Sequence, residues 1–136
     1  MKTNERYHIL FTEFQSALKG FENAINEDAS QFNPVVQDLI ENGRIQKFEI
    51  CAELAWKLSK FYLEKELGII ESSPKQVYRA LFNAAIIEEK LLASMLIIVD
   101  DRNLLSHIYK EDFFIKVSNQ LTTHSANLAA LYNLLK

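Results

Sequence analysis

Apolar residues recur at Tyr7, Leu10, Phe11, Phe14, Leu18, Phe21 and Ile25, the three-and-four spacing of one helical face, with Asn4 placed to cap it. The same period returns at Ile45, Phe48, Ala52, Ala55, Leu58 and Tyr62, predicting a helix over about 44–67 that Gly68 closes. Ahead of it, Asn33-Pro34 reads as a cap with a first-turn proline and Asn42-Gly43 as a stop, predicting a separate short helix over 34–41. Ser72-Ser73-Pro74 starts another helix that runs to about Ile87. The next begins near Glu88 and is apolar nearly all round from Leu91 to Val99, which places it in a bundle core or a subunit interface. A last helix carries Phe114, Val117, Leu121, His124, Leu128, Leu131 and Leu135. Such seams suit helices crossing at about 20°. The predicted fold is all-α: an antiparallel up-and-down four-helix bundle with one additional short helix, a single domain over 1–136.

Composition narrows the picture further. With 3 glycines and 2 prolines in 136 residues, the chain lacks the turn residues a sandwich or barrel needs. A formal net charge of −3 gives no global basic field for gripping nucleic acid, so any such chemistry needs a local positive pocket. Cys51 is the one cysteine, so no internal disulfide forms, which fits a reducing compartment. The first ten residues hold no apolar signal core, and the stretch from Leu91 to Val99 is too short to span a bilayer. The expectation is a cytoplasmic protein that does not enter a membrane.

Candidate chemistry gathers where the apolar run ends, in Asp100-Asp101-Arg102-Asn103-Leu104-Leu105-Ser106-His107-Ile108-Tyr109. If the helix continues at about 100° per residue, Arg102, Asn103, Ser106, His107 and Tyr109 share one arc, and Leu104, Leu105 and Ile108 share the opposite one. Polar arcs at helix ends are ordinarily solvated faces, with an arginine paired to a neighbouring aspartate. The alternative is a phosphate-handling site. His107 would move a proton near neutral pH while the Arg102 fork stabilises charge developing on phosphorus. Two copies facing across a dimer axis would make a tighter site than one helix alone.

Glu49, Glu53 and Lys57 follow one another at four-residue steps, which makes either a surface ion ladder or a brace for Arg102 or His107 from the neighbouring helix. His124, on the apolar seam, is read as a packed histidine hydrogen-bonded by its neighbours, and His8 as surface. Trp56 is read as core or interface rather than as a stacking platform. Asp100 and Asp101 point about 100° apart and make a poor metal cradle. No ligand spacing, Walker loop or dinucleotide turn is present, so no metal and no cofactor is expected.

Arg102-Asn103-x-x-x-His107-x-Tyr109 matches the R-x4-H-x-Y signature of HEPN-domain proteins. With Ile45-Gln46-Lys47-Phe48-Glu49, Glu53-Leu54-Ala55-Trp56-Lys57 and Ser73-Pro74-Lys75 followed by Arg79, the chain resembles the nucleotidyltransferase substrate-binding proteins, the HEPN half of HEPN–MNT toxin–antitoxin modules. The resemblance implies a helical bundle that dimerises with its Arg–His motifs lining a shared cleft, and a small nucleotidyltransferase (MNT) as partner. It also implies a metal-independent endoribonuclease in which Arg102 and His107 are catalytic, supported by Asn103, Ser106, Glu49 and Glu53. Tyr109 would be the acceptor of AMP transferred by the partner. The alternative is a non-catalytic subunit that presents a substrate to the nucleotidyltransferase.

Overall fold

A computed structural model describes residues 3–106 and 111–136. The described residues form α1 (Thr3–Asn26), a short 3-10 turn (Ala29–Gln31), α2 (Pro34–Leu67), α3 (Pro74–Asn83), α4 (Glu89–Leu104), α5 (Glu111–Ser118) and α6 (Leu121–Leu135). The protein is an all-α bundle with no strand among those residues. None of their helices is long and apolar enough to cross a membrane.

Aromatic contacts fix the helix directions. Tyr7 near the start of α1 meets Tyr62 near the end of α2 at 6.1 Å between ring centroids, and Phe21 meets Phe48 at 6.1 Å, so these two helices run antiparallel. Tyr132 of α6 stacks 5.1 Å from Phe11, and the Tyr7 hydroxyl donates to the carbonyl of Leu135, so α6 is also antiparallel to α1. The beginning of α4 lies beside the end of α6. The long helices α1, α2, α4 and α6 therefore alternate up and down, as the seams predict. Phe14, Phe21, Phe48, Leu58, Leu81, Met95, Leu128 and Leu131 form a fully buried centre.

Several element boundaries differ from the sequence prediction, and Asn4 lies inside α1 rather than capping it. Asn42-Gly43 does not stop a helix, because α2 runs unbroken for 34 residues from its Asn33 cap to Gly68. Asn42 Nδ2 donates to the carbonyl of Asp38 one turn back, at 2.8 Å. Arg44 reaches across to α1, where its Nε donates to the Ala24 carbonyl at 2.8 Å and a second nitrogen donates to the Glu27 carbonyl. The last turn of α1 has no basic residue of its own, so Arg44 supplies the cation its free carbonyls favour. That anchor requires α2 to be helical through Gly43.

Gly43 thus sits mid-helix, with nothing within 4 Å of where a Cβ would stand. Gly43→Ala is expected to raise stability by about 0.4–1 kcal/mol, read as a later urea midpoint. A break at this position would make the same change neutral or unfavourable.

The third helix ends at Asn83 rather than near Ile87, because Ala85 takes a left-handed conformation at φ 60° and the Ile86 amide donates back to Leu81 at 2.9 Å. The predicted last helix is two, α5 and α6, parted at Asn119-Gln120. Ser118 donates to Glu41 on α2, which pins the end of α5. Finally, α4 ends at Leu104, with Leu105 as its cap.

Candidate functional site

The last turn of α4 is built from Asp100 to Leu104 and runs without interruption through the paired aspartates. Adjacent residues on a helix diverge by about 100°, so the two carboxylates serve different neighbours. Asp100 is exposed and pairs with Lys75 of α3 at 2.6 Å. Asp101 is 2% exposed and meets Nε2 of His124, also 2% exposed, at 2.6 Å. The His124 ring stacks on Phe48 at 5.2 Å, and Lys116 of α5 brings its ammonium to 3.8 Å from the other Asp101 oxygen. One buried pair thus joins α4 to α6, with α5 beside it and α2 beneath.

His124 is the packed, hydrogen-bonded histidine its position on the seam implied. Its partner Asp101 was missed. The signal lay in the spacing: Asp101 falls three residues after Ile98 and four before Leu105, in line with two buried side chains. An acid within an apolar stripe needs a buried partner, and His124 is the one polar residue among the seam positions of α6.

Arg102 turns the other way, toward α2. Its Nε lies 3.8 Å from the Glu53 carboxylate. The same carboxylate accepts from Trp56 Nε1 at 3.1 Å and pairs with Lys57 at 3.2 Å. Partial burial pushes the Glu53 carboxyl upward, but the hydrogen bonds from Trp56 and Lys57 and the charges of Lys57 and Arg102 outweigh it and hold the group below its ordinary value. Glu53 therefore stays ionised near neutral pH and acts as both the brace for Arg102 and a rung of the ladder to Lys57. Glu49 shares a shallow hollow with Arg102, bordered by Glu13, Ile50 and Leu54, and forms no ion pair with it. Of the two, Glu53 is the carboxylate that pairs with Arg102.

The other two predicted supporting residues lie at the end of α4. Asn103 is exposed and stands beside Arg102 on the lip of a cleft of about 170 Å³. Ser106 lies beyond the end of α4, with its hydroxyl donating to the Asn103 carbonyl at 2.7 Å. The helical wheel that put Ser106 on the arc of Arg102 assumed a helix that stops two residues earlier. His107 and Tyr109, the other members of the motif, lie outside the described residues.

The cleft is lined by the buried Ala52, Ile98 and Val99 together with Glu53, Trp56 and Pro74. Trp56 is half-buried against the core, as its broad apolar helix implied, and also borders this cleft. His8 is exposed, as expected. A larger hollow of about 540 Å³ lies at the other end of α4, between Leu91 and Leu134, away from the Arg102 cluster. Among the described residues no group of three or more His, Cys, Asp or Glu is arranged to hold a metal ion.

Residues 10–136 match the family described as nucleotidyltransferase substrate binding protein like. The fold is similar to a crystal structure of a protein from Thermus thermophilus, with 27% identity and a TM-score of 0.77, covering 90% of this chain and 98% of that one. No curated protein matches the chain.

Proposed function

The chain belongs to the nucleotidyltransferase substrate-binding-like family, and from that premise we propose that it is the HEPN half of a two-protein module, a homodimeric, metal-independent endoribonuclease whose partner is a small nucleotidyltransferase. The observation that carries this reading is Arg102, its side chain 36% exposed at a cleft lip and paired with an ionised Glu53. A braced fork of donors suits the oxygens of a phosphodiester.

His107, five residues on, takes the proton from the ribose 2′-hydroxyl as that oxygen attacks phosphorus. The 5′-oxygen leaves and is protonated, giving a 2′,3′-cyclic phosphate and a 5′-hydroxyl end. Arg102 offsets the charge that builds on the non-bridging oxygens. Asn103 supports the phosphate from the lip. Ile50, 47% exposed beside Arg102, is an apolar contact for a second protomer. We place the reaction in the cytoplasm, with Tyr109 as the hydroxyl on which the nucleotidyltransferase puts AMP from ATP, releasing pyrophosphate.

The purified protein should cut RNA in EDTA and leave 2′,3′-cyclic phosphate ends. Incubation with the partner and ATP should label the wild type and spare Tyr109→Phe. RNA left intact by the unmodified protein rejects the nuclease, and equal labelling of Tyr109→Phe rejects that acceptor.

A second reading, a non-catalytic subunit that presents substrate to the nucleotidyltransferase, is favoured by one observation. Glu13, Glu49 and Glu53 all border the hollow that holds Arg102, in a chain of net charge −3. Acidic surroundings weaken long-range attraction of RNA, whose bulk affinity rests on cations. On this reading the protein binds the nucleotidyltransferase and leaves RNA uncut.

A further inference from the structure

Three consecutive residues at the end of α4 pair with three different helices: Asp100 with Lys75 of α3, Asp101 with His124 of α6, and Arg102 with Glu53 of α2. The first and third pairs are exposed or half-exposed, so solvent screens them and they hold the helix weakly. The middle pair is buried on both sides and bonded at 2.6 Å. Lys116 joins it from α5, with its ammonium 3.8 Å from the other Asp101 oxygen.

Apolar packing sets the direction of this turn only loosely. Leu91, Leu92, Met95, Leu96, Ile98 and Val99 are all partly or fully buried, and the half-exposed Ile97 lies among them. Like side chains follow one another round the helix, so a small turn about its axis trades one contact for a similar one. The helix then ends at Leu104, and the carbonyls of a last turn have no partner within their own helix. Arg102 and Asn103 lie in that turn. A hydrogen bond is short and directional, and one polar residue in a core fixes register where apolar contacts do not. Buried pairs add little stability over apolar side chains of similar volume, so stability alone does not account for one beside Arg102.

We propose that Asp101 is a positioning residue for the site: its buried bond to His124 sets the direction of the last turn of α4 and so aims Arg102 at Glu53. With Asp101 held toward α6, the step of about 100° between helical neighbours turns Arg102 toward α2. The inference rests on the reading of Arg102 as the phosphate-handling group for its effect on cleavage. The aim of the side chain itself is measured without RNA.

The Arg102 Nε is buried and has no hydrogen-bond partner among the described residues. In the isotope-labelled full chain, exchange of its N–H with water, followed by NMR, reports how often the side chain turns outward. Arg102→Lys identifies the signal by its loss. Asp101→Leu with His124→Phe replaces the directional bond by apolar packing. That double variant should speed the exchange by about tenfold or more while its urea midpoint stays level or rises. It should also lower kcat for RNA by up to about 10²-fold, the cost of a small misplacement. Asp101→Asn keeps an oxygen for His124 Nε2, and Asp100→Asn touches only the exposed pair, so the signal should stay slow in both. A slow signal in the folded double variant overturns the assignment. Fast exchange in either single variant overturns it too, and these two carry the test should the double variant not fold. Fast exchange in the double variant, with RNA left uncut by the wild type, upholds the positioning role and rejects the nuclease. Cleavage by the double variant at the wild-type rate overturns the positioning role and leaves the nuclease standing.

Discussion

Asp101→Ala is expected to cost about 3 kcal/mol of folding stability, the upper end of the cost of leaving a buried hydrogen-bonding group unmatched. The substitution leaves His124 2% exposed with Nε2 unmatched, and its Nδ1 has no hydrogen-bond partner among the described residues. It also leaves Lys116 without the carboxylate it approaches. Domains of this size are stable by only about 5–15 kcal/mol, so a large part of the total is at stake.

Asp100→Ala, one residue away, should cost no more than about 1 kcal/mol, because the Asp100–Lys75 pair is solvated and screened. Urea denaturation followed by circular dichroism measures both. Equal, small losses would show that Asp101 is not the buried partner of His124. Replacing the pair together, Asp101→Leu with His124→Phe, should be neutral or stabilising. An apolar pair carries no desolvation cost, and a phenyl ring keeps the stack on Phe48.

The second large effect concerns RNA cleavage. His107→Ala should lower its rate by about 10²–10⁴-fold, the usual worth of a positioned general acid or base. Arg102→Ala should lower it by about 10²–10³-fold, the loss that follows removal of one donor to a developing charge. Arg102→Lys should recover only part of this, because a point charge cannot reproduce the two-pronged fork.

Glu53→Gln tests the brace and should fall between wild type and Arg102→Ala. It removes the charge facing Arg102 and keeps an acceptor for Trp56. The pH profile separates the groups. A carboxyl held below its ordinary value gives its contribution above the unfolded-state value and loses it as pH falls through the folded one. The Glu53 brace is therefore constant through neutrality, and a change in rate near neutral pH that disappears in His107→Ala would report the imidazole as the proton carrier. Cleavage unchanged in His107→Ala and Arg102→Ala would remove both from the mechanism.

How much of this was legible in the chain depends on whether the deciding force was local. The seam of α1 and the starts at Pro34 and Pro74 follow from periodicity, the Asn33 cap and first-turn prolines, which act within one or two turns. The break between α5 and α6 was invisible because Val117 and Leu121 are both buried at helical spacing across it, and no glycine or proline marks the turn. The end of α3 is followed by a left-handed turn at Ala85, a residue type that gives no warning of one. At the site, Arg102 facing Glu53 was readable as one alternative among two, whereas the end of α4 just before Ser106 was not, because a wheel cannot tell where a helix stops.

The sequence by itself determined the class of fold, the helix faces that make the core, and the presence of an arginine and a histidine in a family signature. These depend on side-chain period and on residue identity. Tertiary structure decided the rest. It carried α2 through Asn42-Gly43, because Arg44 is needed at the end of α1. It sent two adjacent aspartates to opposite fates, one to solvent and one to His124. It also set Trp56, Asn103 and Arg102 around one cleft, since residues about 50 apart in the chain meet only when α2 and α4 pack. Their direction is fixed by what each helix lies against, and no window along the chain contains that information.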